Sequence, residues 1–190
     1  MIGFEALTWG RHVSDWRQAW ELVRRADHPA LGLILDSFHL LAKGSPIAPI
    51  RDLPADKIVP VQTADAPSIA MDPLFCSRHR RCFPGQGELD VESVLRALLA
   101  TGFDGWLSHE VFSDDFRSTS ARQAAMDGMR SFLFHEERLG PPALPPAPEP
   151  RGVAFVEFVE APERAEALRA SLRALGILYD RDGAGELLHL

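Results

Sequence analysis

Four oxygen-bearing side chains sit within or at the ends of four short apolar runs, and their placement poses the first chemical question. Glu5 lies in Met1-Ile2-Gly3-Phe4-Glu5-Ala6-Leu7, and Asp36 closes Leu31-Gly32-Leu33-Ile34-Leu35-Asp36. Gln62 lies in Ile58-Val59-Pro60-Val61-Gln62-Thr63-Ala64-Asp65, and Glu110 in Trp106-Leu107-Ser108-His109-Glu110-Val111-Phe112. A short run without polar alternation reads as a parallel strand buried on both faces. An ionised carboxylate in that setting is costly unless it is paired. Asp36 taken alone could simply cap the segment that follows it. Recurrence in four runs points instead to a shared partner. Carboxylate and amide oxygens together suit a hard divalent cation such as Mg2+ or Mn2+.

The elements that must position these groups follow from the intervals between them. Each interval is long enough for a strand, a crossover and its loops. In a barrel of parallel strands, functional side chains gather at the C-terminal ends. Ser14 is read as the N-cap of a helix running to about Arg25, with Trp16, Ala19, Trp20 and Val23 on its apolar face. A short helical piece is expected around Ile47 to Leu53. Ala66 to Glu88 reads as a long loop without period, a kind of segment that is often functional. It carries Ser77-Arg78-His79-Arg80-Arg81, a cationic run that would suit an anionic substrate, or else a solvated face. Asp90 caps the next helix, with Val91, Val94, Leu95 and Leu98 inward and Gly102 beyond its end. A further helix is expected from about Thr119 to Arg138, stopping at Gly140.

Six prolines among residues 141–150 force an extended spacer that joins neither helix nor sheet. Beyond it, Gly152 to Val159 reads as a strand, Pro162 to Leu175 as a helix, and Ile177 to Tyr179 and Glu186 to Leu190 as the starts of further strands. So short a strand–helix–strand tail cannot close a core of its own, and the chain is expected to end inside that module.

The chain has 190 residues, of which 46% are hydrophobic and 25% charged, a globular composition. Its net charge of −7 argues against a nucleic-acid surface. No apolar run reaches the length of a membrane span, and no signal peptide is expected before the first strand. Cys76 and Cys82 are spaced for neither a zinc pair nor a redox pair, so reduced thiols in the cytoplasm are expected.

Glu5 within FEALTWGRH, LILDSFH, VQTADAP, SRHRRCFPGQGELD and the run bearing Glu110 resemble bacterial 3-dehydroshikimate dehydratases, within the xylose-isomerase-like barrel superfamily. The resemblance covers residues 1 to about 138. It implies an α/β fold: the C-terminal half of a (β/α)8 TIM barrel, about four βα units, over 1–139. A Pro-rich linker at 140–151 follows. Residues 152–190 resemble the start of an α+β module of the 4-hydroxyphenylpyruvate dioxygenase-like, vicinal-oxygen-chelate type. The resemblance places metal ligands on Glu5, Asp36, Gln62 and Glu110, for Mg2+, Mn2+ or Co2+. It places the active-site histidine on His39 and substrate-binding groups on Ser77 and Arg81.

The reaction so implied is dehydration of 3-dehydroshikimate to protocatechuate. It needs a Lewis acid to polarise the ketone and groups to move protons. His39, titrating near neutrality, is the expected proton carrier, and Ser77 with Arg81 would hold the substrate carboxylate. The partner expected is thus a small anionic molecule, not nucleic acid or membrane. A sugar isomerase or epimerase on the same metal is the rival reading, and a non-catalytic fragment is another. Unpaired strand edges in a half-barrel would invite self-association, a homo-oligomer included, and the polypeptide alone is expected to fold poorly.

Overall fold

The computed structural model describes residues 1–140, 149, 151–152, 158, 160–176, 178–182 and 185–189. The chain forms two compact units, Met1–Leu144 and Pro145–Leu190. In the first, β1 (Ile2–Glu5), β2 (Leu31–Asp36), β3 (Ile58–Thr63) and β4 (Leu107–His109) pair in sequence order, every neighbour parallel. Right-handed crossovers require a helix or long connection between parallel strands. These are α1 (Trp16–Ala26) after β1, α2 (Ser37–Ala42) after β2, α3 (Pro73–His79) and α4 (Val91–Leu99) after β3, and α5 (Asp114–Ser118) and α6 (Ala121–Leu139) after β4.

The N-cap of α1 is Asp15 rather than Ser14. Asp15 accepts from Arg17 N at 2.9 Å, while Gln18 Oε1 accepts from Ser14 N at 2.9 Å and Asp15 N at 3.1 Å. The carboxylate wins because the glutamine three residues on closes a capping box around it. Trp16, Ala19 and Val23 are buried on one face at helical spacing, as expected. The helix ends on Asp27 in the left-handed region, φ 43°.

Two short helices fall where the sequence reads as loop. α2 is only six residues long, too short for a periodic signal. α3 lies inside the Ala66–Glu88 stretch, with Asp72 as N-cap accepting from Phe75 N at 2.9 Å and Pro73 at the first helical position. The Asp90-capped helix α4 buries Val91, Val94, Leu95 and Leu98 as its pattern demands. Its apolar face joins Leu33, Leu35 and Val61 of the sheet in one core. Ser120 caps α6, whose Ser131 donates to Pro84 O at 2.7 Å.

In the second unit, α7 (Pro162–Ala174) begins with proline in its first turn and is followed by Gly176 at φ 78°. β5 (Leu178–Asp182) and β6 (Gly185–His189) form an antiparallel pair. The strand expected over Gly152–Val159 lies largely outside the described residues, as does most of the proline-rich stretch. No described helix is long and apolar enough to cross a membrane.

Candidate metal centre

Parallel pairing in sequence order brings the C-terminal ends of all four strands to one edge of the sheet. Glu5 is the last residue of β1 and Asp36 the last of β2. Asp36 is the register partner of Gln62, and Gln62 that of Ser108 on β4, two residues before Glu110. The four expected oxygen ligands therefore share one end of the sheet. Gln62 Nε2 donates to Glu110 Oε1 at 2.8 Å, which turns the amide oxygen of Gln62 away from that bond.

Asp36 is buried and serves twice. Its Oδ1 accepts from Phe38 N at 2.8 Å as the cap of α2, and its Oδ2 accepts from Arg81 Nη1 at 2.8 Å. One turn into α2, His39 places Nε2 3.7 Å from Glu5 Oε1 and 3.8 Å from Asp36 Oδ2. Glu5, Asp36 and His39 form a group whose ligand atoms lie within 4.8 Å of one another. The histidine thus stands closer to the acidic cluster than a separate proton carrier requires.

Of the cationic run, only Arg81 turns inward. Ser77 lies in the last turn of α3 and Arg81 just beyond its C-cap Arg80, and both are 1% exposed. His79 pairs with Asp114 at 3.1 Å, and Arg78 lies over the Phe112 ring at 5.4 Å. Arg78 and Arg80 are exposed, so the run does not face the site as a whole and the solvated reading holds for these two. Arg81 lies 4.5 Å from the centre of the Phe38 ring. Its Nε and Nη2 donate to Ser77 Oγ at 3.2 and 2.8 Å. Its Nη1 reaches Glu110 O at 3.0 Å and Glu110 Oε2 at 3.3 Å as well as Asp36, and Nη2 lies 3.3 Å from His39 Nε2. Every N–H of the guanidinium is engaged.

Crowding of three carboxylates in a desolvated place decides the electrostatics. Burial, then the charges of Asp36 and Glu110, push Glu5 up to about 7. Burial raises Asp36 against the opposing pull of Arg81, and burial with Asp36 raises Glu110. His39 is driven the other way, down to about 3, by burial and by the positive charges of Arg81 and Arg78. Titration near neutrality, expected from the residue type, is opposed by this burial and by these charges, which favour the neutral imidazole.

The donor set fits a divalent cation. Glu5 Oε1 and Gln62 Oε1 are buried without a hydrogen-bond partner, and both belong to expected ligands. An orphaned buried oxygen costs about 1–3 kcal/mol unless something else satisfies it. Two such oxygens beside the carboxylates of Asp36 and Glu110 supply the hard ligands that Mg2+ or Mn2+ accepts.

Sequence reasoning passed over Thr8 and the carboxylate of Asp65. Thr8 Oγ1 lies 2.8 Å from His39 Nδ1. Asp65 accepts from the backbone N–H groups of Ala66, Gly85, Gly87 and Leu89 at 2.7 to 3.0 Å. A Cβ on Gly87 would collide with Asp65 Oδ1, which is why glycine stands there. The Asp65–Cys82 backbone bridge, two bonds of 2.9 Å, thereby fixes the segment that begins at Arg81.

Parallel βα units in sequence order, with acidic side chains gathered at the strand ends, define the architecture of a parallel barrel with its polar groups at the C-terminal edge. The chain belongs to the xylose isomerase-like TIM barrel family, which it matches over residues 1–133. Among curated proteins it is similar to the 3-dehydroshikimate dehydratase of Pseudomonas putida, 55% identical over 172 residues, covering 83% of this chain and 27% of that protein. Among solved structures it is similar to a xylose isomerase-like TIM barrel/4-hydroxyphenylpyruvate dioxygenase fusion protein. That likeness has a TM-score of 0.80 and 47% identity, over 100% of this chain and 33% of the other. A second is the IOLI protein with a bound zinc atom, TM-score 0.61 and 28% identity, over 67% of this chain and 45% of that one. The chain thus spans between a quarter and a third of the length of the dehydratase and of the fusion protein.

Proposed function

We propose that residues 1–139 carry the metal-binding side of a 3-dehydroshikimate dehydratase, a hydro-lyase that yields protocatechuate. The observation that carries this reading is the convergence of Glu5, Asp36, Gln62 and Glu110 at one sheet end, with two of their oxygens buried and unsatisfied. These four would hold the ion, and the zinc in the IOLI protein supports a divalent cation. When bound, such an ion supplies Lewis acidity toward a carbonyl oxygen. His39, kept neutral by burial and by Arg81, would take the α-proton at Nε2 and return it to the departing hydroxyl. Ser77 and Arg81 would hold the substrate carboxylate. Because every N–H of Arg81 is already engaged, that contact requires exchange of a bond to Asp36 or Glu110. Residues 152–190, after the linker at 140–151, are assigned on the same reading to a dioxygenase-like module, supported by likeness to the fusion protein.

A chimera tests this reading: residues 1–133 replace the matched segment of the Pseudomonas putida dehydratase. With Mn2+ present, it should convert 3-dehydroshikimate to protocatechuate, and Asp36→Ala or Glu110→Ala within it should abolish turnover. A folded, metal-binding chimera that leaves 3-dehydroshikimate untouched would refute the proposal.

A further inference from the structure

Thr8 is buried just beyond β1, and it grips His39 at both ends of the residue. Its Oγ1 lies 2.8 Å from Nδ1 and 3.4 Å from the His39 carbonyl oxygen, and its backbone N lies 3.4 Å from Nδ1. Across the ring, Arg81 Nη2 stands 3.3 Å from Nε2. A neutral imidazole has one N–H and one lone pair, so two arrangements are open.

With the proton on Nε2, that N–H faces a guanidinium, which can only donate. The carboxylates at 3.7 and 3.8 Å are too far to accept it. With the proton on Nδ1, the ring donates to Thr8 Oγ1 at 2.8 Å, the Thr8 hydroxyl turns to the His39 carbonyl, and Nε2 accepts from Arg81. The second arrangement gives up only the long contact from Thr8 N. The first strands a donor of a buried charged group, which is the costlier loss. Trp9 and Phe38, edge-on to the ring at 4.9 and 5.4 Å between centroids, hold its plane.

We propose that Thr8 is a positioning residue that holds His39 as the Nδ1–H tautomer, leaving Nε2 without a proton, its lone pair accepting from Arg81 until substrate enters. The proposal rests on the reading of His39 as the group that accepts a proton at Nε2. An imidazole whose outer nitrogen carries the proton cannot begin that step, so the hydroxyl of Thr8 sets the competence of His39 without touching substrate.

The test is nitrogen NMR of the chain with 15N-labelled histidine side chains, at neutral pH, without metal or substrate. His39→Gln assigns the His39 signals among the seven histidines. In the wild-type chain and in Thr8→Ser, Nδ1 should show the shift of a protonated ring nitrogen and Nε2 that of a bare one. In Thr8→Val, which lacks the acceptor, the proton should move to Nε2 wholly or in part. A wild-type spectrum with the proton on Nε2 overturns the proposal, as does a Thr8→Val spectrum identical to wild type. Should Thr8→Val fail to fold, Thr8→Ala gives the same readout. The tautomer is read without substrate, so its failure is distinguishable from failure of the chimera to dehydrate 3-dehydroshikimate.

Discussion

Replacing Arg81 by methionine should destabilise the metal-free protein more than any single surface change. Arg81 is 1% exposed, and the side chain of Asp36 that it meets at 2.8 Å is 0% exposed. Methionine keeps most of the buried volume but leaves the Asp36 carboxylate without a cation. Removing one partner of a buried pair costs about 3–5 kcal/mol. The engaged N–H groups on Ser77 and Glu110 are lost as well, but those partners can turn to other donors. For a chain of this size, about 3–5 kcal/mol corresponds to a fall in Tm of roughly 6–20 °C. Arg81→Lys should lose less, because the charge stays while the planar fork is lost. Asp36→Asn in the Arg81→Met background should recover part of the loss, a non-additivity expected of residues in contact. The assay is urea unfolding of the chain in EDTA, read as the midpoint at unchanged slope. A loss of under about 1 kcal/mol for Arg81→Met would refute the argument, because it would mean that Asp36 is not held by this cation.

Asp65→Ala should release the loop at Gly85, Gly87 and Leu89, seen as faster amide exchange at those positions with little change in β2. Asp15 is held down to about 2, chiefly by the side-chain bond from Arg17. Its folded value is below its unfolded one, so its contribution is present above about pH 4 and lost as pH falls through the folded value. Asp15→Asn should therefore flatten the acid limb of a stability–pH profile between about 2 and 4. Trp106, 85% exposed beside the outer strand β4, should promote self-association, and Trp106→Ser should lower the apparent mass by light scattering at high concentration.

The sheet, and the gathering of Glu5, Asp36, Gln62 and Glu110 at one end of it, were legible because both rest on local, repeating signals. Buried parallel strands read as apolar runs, and three carboxylates and one amide near their ends are conspicuous against that background. Asp36 keeps the cap reading and adds a partner on another element: one oxygen caps α2 while the other meets Arg81. α2 escaped because six residues give too little periodicity, whereas α3 carried a signal in Asp72-Pro73 that went unread. Arg81 could be separated from Arg78 and Arg80 only once the end of α3 and the backbone bonds beyond it, Arg81 N to Phe112 O and Cys82 N to Asp65 O, were known. Thr8 had no sequence signal, because its role is a contact with a residue on another element. The low pKa of His39 is likewise a property of its surroundings, not of its type.

The central claim is that Glu5, Asp36, Gln62 and Glu110 together hold a divalent cation, and calorimetric titration of the EDTA-stripped chain with Mn2+ tests it most directly. The account predicts saturable binding of one ion per chain, weakened at least about tenfold by Asp36→Asn or Glu110→Gln and less by Gln62→Ala. Absence of binding in a folded chain, or binding unchanged by the Asp36 and Glu110 substitutions, would contradict it.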